Sequence, residues 1–282
     1  MKAEIIVEIW RRIHIEGKDA GYWQARGLKM KPILSALDEE GRPRAWVADA
    51  SESEVLWPEL KAYIRNQSSF ISTFFTDEER LSAEWCILRG SGIVRPNAPL
   101  EGYWSRNYYQ DICPVCGSGW TQISPFRLER PPKLGRNAFA SFAGDELFAS
   151  NEVLAEFKAQ SVHGVQTWPI LIGEAGHPAL GVEQILVKHV AEPAIADELV
   201  EHEHYRWTDC PRCGRRWHLY YNRGMLPLRR TALHTDVDFQ MTHEWFGSGR
   251  AARREILVSN HVVRLILTNQ WKGADLSPVQ VV

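Results

Sequence analysis

The apolar positions of this chain change period along its length, and that change predicts the elements. Ile5, Ile6, Val7 and Ile9 form an apolar opening run broken by Glu4 and Glu8, which reads as a strand. Further on, Leu81, Trp85 and Leu88 recur at helical spacing. They follow Thr76 and Glu79, which have the spacing of a capping box, so a helix is expected there. Cys86, on that helix, reads as a small buried core residue. Arg95-Pro96-Asn97-Ala98-Pro99 then interrupts the pattern as a loop. Residues 1–107 are therefore expected to form an α+β unit of their own.

Beyond that point the same signals occur twice in the same order. Cys113-Pro114-Val115-Cys116-Gly117 is followed by Trp120, and Cys210-Pro211-Arg212-Cys213-Gly214 by Trp217. Tyr108 and Tyr205 stand at the same distance before the first cysteine of each. Later, Ser150-Asn151 and Ser259-Asn260 each open a helical run that leads to a glycine (Gly164, Gly273) and then a proline (Pro169, Pro278). Aligned without a gap, these two stretches are identical at five positions, Val153 and Val262 included. A serine N-cap satisfies first-turn amides, and apolar residues at spacings of three and four put one face on a core. The glycine ends the helix, and the proline sits in an extended segment. Residues 108–175 and 202–282 thus read as two copies of one module. A connector over 176–201, carrying Ile185, Leu186 and Val187, joins them. Two copies are too few for a solenoid, so a pseudo-two-fold pair is expected, with the two cysteine turns brought together.

Composition narrows the class. Of 282 residues, 44% are hydrophobic and 24% charged, which suits a globular protein and not a disordered one. The twelve tryptophans are expected mostly in cores and beside hairpins. A net charge of −2 selects no polyanionic partner. No run of about 18 apolar residues occurs, so neither a membrane span nor a signal peptide is expected, and the cytoplasm is the expected compartment. Thiols stay reduced there, and paired CxxC spacings then read as metal ligands.

Structural zinc takes four ligands in a tetrahedron, and two thiolates separated by two residues can reach one ion from a tight turn. Cys113, Cys116, Cys210 and Cys213 would complete one closed site, although 97 positions separate the two turns. Two separate sites, with His202, His204 or His218 joining the second turn, is the alternative. Unrelated redox or buried CxxC pairs are another. A site filled by four thiolates has no open position for water, so such a zinc supports folding and not hydrolysis.

The two CPxCG elements, with Glu244-Trp245-Phe246-Gly247-Ser248-Gly249 ahead of Ile256-Leu257-Val258-Ser259, resemble the double-CXXCG motif immunity proteins of bacteria. The resemblance covers roughly residues 105–282. It implies a protein that binds and neutralises a cognate toxin, and its motif falls on Cys113, Cys116, Gly117, Cys210, Cys213 and Gly214. It carries over no toxin-contacting residue. Seven arginines between Arg206 and Arg230, interleaved with Trp207, Trp217, Tyr220 and Tyr221, allow a second reading as a zinc-ribbon nucleic-acid-binding protein. Arg215, Arg216 and Trp217 are the candidate partner-binding residues in either case. His234, Asp236, Asp238, His243 and Glu244 lie close in sequence but match no metallohydrolase spacing, and a polar loop is expected there. With no nucleophile elbow, phosphate loop or dinucleotide fingerprint, no catalytic set is expected.

Overall fold

A computed structural model describes residues 10–33, 38, 40–65, 71–91, 106–141, 146–199, 207–221 and 224–282. The expected strand at Ile5–Ile9 and the loop at 95–99 lie outside these residues. The described part is α+β and mostly strands. It divides into two compact units, 1–76 with 222–224, and 77–221 with 225–282. The boundary after Thr76 lies well ahead of the expected one near 107.

In the first unit, β1 (Trp10–Glu16) runs into α1 (Gly17–Ala25), and β2 (Met30–Pro32) and β3 (Ala45–Ser51) follow. α2 (Trp57–Arg65) and β4 (Ile71–Phe74) complete it. The strands form one antiparallel sheet in the order β2-β3-β1-β4. Alternate residues of β1 and β3, Ile13, Ile15, Ala48 and Ala50, bury one face against Trp23 of α1 and Leu60 of α2.

The second unit opens with α3 (Asp77–Ser82) and β5 (Trp85–Gly90), where one longer helix was expected. Leu81, Trp85 and Leu88 keep helical spacing, but Trp85-Cys86-Ile87-Leu88 is a continuous apolar run buried throughout. Such a run suits a central strand covered on both faces, and periodicity alone does not separate it from a buried helix. Trp85 and Ile87 enter one core while Cys86 and Leu88 enter another. Cys86 is buried as expected, on a strand.

Next come β6 (Tyr109–Gln110), β7 (Thr121–Gln122), β8 (Arg127–Leu128), β9 (Phe139–Ser141) and β10 (Leu147–Ser150). β10 leads into α4 (Asn151–Ala159), β11 (Val165–Ile172) and β12 (His177–Val187). The expected connector is therefore in large part a strand. The chain continues through β13 (Trp207–Asp209), β14 (Arg216–His218), β15 (Leu226–Leu228), β16 (Phe239–Met241) and β17 (Trp245–Phe246). It ends with β18 (Ile256–Ser259), α5 (Asn260–Thr268) and β19 (Ala274–Val281).

Both helices open where expected. Ser150 Oγ accepts the Val153 amide as an N-cap, whereas Ser259 Oγ donates to Asp238 instead. The glycines do not end the helices as expected. α4 and α5 stop at Ala159 and Thr268, and Ser161 and Gln270 take the left-handed position beyond them at φ of 54° and 53°. Gly164 and Gly273, at φ of 85° and 88°, stand three residues further on, ahead of the next strand.

Two five-stranded sheets dominate this unit, in the orders β8-β11-β12-β10-β9 and β15-β19-β5-β18-β16. Their registers correspond. Leu147 pairs with Ile185 and Ser150 with Val182, as Ile256 pairs with Leu88 and Ser259 with Trp85. Pro169 pairs with Glu183 as Pro278 pairs with Cys86. In each sheet a short edge strand runs parallel to the strand after the helix. One core joins both sheets and both helices through Phe139, Phe157, Ile185, Phe239, Val262, Ile266 and Leu88. Each sheet also has a core of its own, with Phe148 and Ile170 in one and Leu257 and Val279 in the other.

Candidate metal centre

Each cysteine turn is built by local chemistry. Cys113 N donates to Ser118 O at 2.9 Å and Gly117 N to Cys113 O at 2.8 Å. The second turn repeats this, with Cys210 N to Arg215 O at 2.9 Å and Gly214 N to Cys210 O at 2.9 Å. The proline after each first cysteine holds φ near the value that starts the turn. Gly117 and Gly214 close it at φ of 73° and 67°, where a side chain is strained. In the first turn the amides of Cys116 and Val115 point at the Cys113 sulfur, and in the second those of Cys213 and Arg212 point at Cys210.

The turns meet. Cys113 and Cys210 sulfurs lie 3.9 Å apart, Cys116 and Cys213 sulfurs 3.8 Å, and all four lie within 4.8 Å of one another. Four sulfurs about 2.3 Å from a tetrahedral ion would stand about 3.8 Å apart, so the set fits one metal ion. Among the described residues these four cysteines are the group so arranged. His218, on β14, is not part of it, and His202 and His204 lie outside the described residues.

The electrostatics also favour a cation. Backbone amides, that of Cys116 foremost, hold the Cys113 thiol down to about 6, and the Cys213 amide foremost lowers Cys210. Cys213 is pushed up to about 11, mainly by loss of water around its sulfur and further by the neighbouring sulfurs. Four sulfurs this close cannot all ionise unless a positive charge sits among them.

Four residues that sequence reasoning had not tied to the cysteines, Ser118, Gly119, Arg215 and Arg250, complete the surroundings. Ser118 is fully buried, its hydroxyl 3.1 Å from the Cys116 sulfur. Arg215 stands at the position of the second turn equivalent to Ser118, and it reaches across to the first. Its Nη1 donates to Ser118 O at 3.0 Å and lies 3.6 Å from the Cys213 sulfur. Gly119 makes room, because a Cβ there would lie 2.4 Å from that guanidinium. Arg250 lies against Gly117 in the same way, and its carbonyl accepts Trp120 Nε1. The signal for this clamp was the mismatch between the turns, Ser-Gly after the first and Arg-Arg after the second.

Of the candidate partner-binding residues, Arg215 is thus engaged inside the cysteine cluster, and Trp217 donates to Ser118 Oγ at 3.2 Å. Arg216 is exposed but makes a two-pronged ion pair with Asp209 at 2.8 and 3.1 Å. The polar stretch from His234 to Glu244 braces backbone. His234 Nε2 meets Val190 O, Asp238 accepts the His163 amide, and buried Glu244 accepts the amides of Ala194 and Ile195.

Two outcomes follow from this geometry. Arg215→Ala removes the donor that spans both turns, and residues of this kind are worth about 10–100-fold in metal affinity. Chelator competition should show a loss of that order. His218 is buried, and burial lowers its pKa from 6.5. The unfolded chain then binds the extra proton, so stability is fully present above about 6.5 and falls as pH drops through the folded value. Melting temperature recorded from pH 7 to 5 should decline less steeply in His218→Asn than in the parent.

No protein-family model matches the chain, and no curated protein is similar to it. No helix among the described residues is long and apolar enough to cross a membrane.

Proposed function

We propose that this chain is an immunity protein that neutralises a cognate bacterial toxin by direct, stoichiometric contact. Its shape is held by one structural zinc ion on Cys113, Cys116, Cys210 and Cys213. The observation that carries this reading is the four-sulfur cluster itself. A metal held by four thiolates keeps no position for water or substrate, so it serves shape, and shape is what a neutralising partner needs. Resemblance to the double-CXXCG motif proteins points the same way and supplies the toxin as partner. In this reading the two halves are copies of one zinc-knuckle module about a pseudo-two-fold axis, which the matching strand orders support.

Zinc is preferred over iron, the other metal that suits four thiolates, because a purely structural site needs no redox chemistry. Metal analysis decides between them, and an iron-loaded protein would also be coloured. For function, the chain is co-expressed with the toxin gene encoded beside it. Rescued growth and a one-to-one complex are expected. Loss of growth with no complex on co-purification would remove the reading.

The nucleic-acid alternative draws less support. The guanidinium groups that would hold phosphate are occupied within the protein, Arg216 by Asp209, Arg229 by Glu198 and Arg230 by Glu84. Salt-dependent retention on RNA or DNA that disappears in Arg215→Ala/Arg216→Ala would restore it.

A further inference from the structure

The matching sheets hide an irregularity in chain order. β12, the middle strand of the first sheet, follows that sheet's other strands in sequence. β5, the middle strand of the second sheet, precedes all of its neighbours and the whole first sheet as well. The register resolves this. β5 and β12 occupy equivalent places, Trp85 with Val182 and Leu88 with Ile185, judged by the residues each pairs with. Their numbers differ by 97, the same separation as between the paired cysteines. The repeat therefore begins at β5 and not at the first cysteine turn. One copy runs β5, cysteine turn, β8, β9, β10, α4, β11. The other runs β12, cysteine turn, β15, β16, β18, α5, β19.

We propose that residues 77–282 are a strand-exchanged pair of equivalent halves fused end to end, in which each half gives its first strand to the centre of the other's sheet. The junction is the turn between β11 and β12. Its Gly173 and Gly176 both have positive φ, and Gly176 N bonds Gly173 O. Two sets of contacts between the halves are reciprocal in the way a two-fold interface requires. Lys272 O accepts the amides of Ala138 and Phe139, and His163 O accepts those of Asp238 and Phe239. The cysteine cluster draws two sulfurs from each half, like paired with like.

The physical consequence is that neither half can close a sheet by itself. Without β12, the facing edges of β10 and β11 lose their ladders, and without β5 so do β18 and β19. The halves are bound to each other by paired strands, a shared core and the cysteine cluster, and the covalent turn is dispensable once folding is complete. This holds whether or not the chain neutralises a toxin.

The test cuts the turn in the full chain. A protease site replacing Glu174-Ala175 is cleaved in the folded, metal-loaded protein. The expected result is an unchanged elution volume, with both fragments in one peak and a single unfolding transition. Two fragments that separate in native buffer overturn the proposal. A second measurement needs no variant, because hydrogen exchange of the intact protein reports which strands open together. The amides of Trp85–Gly90 should exchange with those of β18 and β19. Exchange of that segment in step with residues 10–65 would overturn the proposal equally.

Discussion

Serine at Cys113 or at Cys213 is expected to drop bound metal from about one equivalent to under about a tenth, and to move most of the chain into the insoluble fraction. The scale follows from comparing two free energies. Structural zinc sites contribute about 10–16 kcal/mol to the folded state of small domains, whereas a whole domain is stable by only about 5–15 kcal/mol. Removing one ligand leaves three sulfurs within 4.8 Å of one another and Arg215 directed at a weakened negative cluster. Elemental analysis of the purified parent, and soluble yield of the two variants, check the expectation. Parent-like folding of both without metal would mean that the cluster is incidental to stability.

Alanine at Gly273 or Gly164 is expected to destabilise by roughly 2–5 kcal/mol, from a strained conformation and a close backbone contact together. Both residues sit at positive φ, 88° and 85°, which costs a side chain about 1–2 kcal/mol in the left-handed region. Both also lie against backbone that cannot swing aside. A Cβ on Gly273 would stand 2.0 Å from Phe139 O, and one on Gly164 would stand 2.4 Å from Phe239 O. Relief of that overlap has to separate the halves where Lys272 O and His163 O hold the opposite strands. Gly135 and Gly173 give the contrast, with φ of 62° and 63° but nothing within 4 Å of an added Cβ. Alanine there should cost only about 1–2 kcal/mol. Urea unfolding of the four variants checks the difference, and equal losses at all four would show that conformation, not close approach, sets the cost.

The two glycine results and the cysteine result bear on one property. The cysteine cluster and the backbone contacts of Lys272 and His163 tie distant parts of residues 77–282 together from different directions, so the variants should lose cooperativity over that whole stretch.

Much of this was legible along the chain because the signals are local. A cysteine, a proline and a glycine at fixed spacing specify a turn whose amides face the sulfur, whatever surrounds it. Ser150-Asn151 and Ser259-Asn260 stand where α4 and α5 begin, and Ser150 caps its helix through the Val153 amide only three residues on. The doubled order of these signals was also readable, because it needs only comparison of the sequence with itself.

What depended on distant partners was decided by the tertiary structure. Trp85-Cys86-Ile87-Leu88 has an apolar content that serves a helix or a doubly covered strand, and only β18 and β19 on either side make it a strand. That β5 and β12 occupy equivalent places was hidden for the same reason, since they share register but little sequence. Arg215 looked like a surface contact by composition and became a clamp because Gly119, far away in the chain, leaves space for its guanidinium. Short-range bonds are written where they act, whereas pairing and packing are properties of which segments meet, and those meetings bring the four cysteines together.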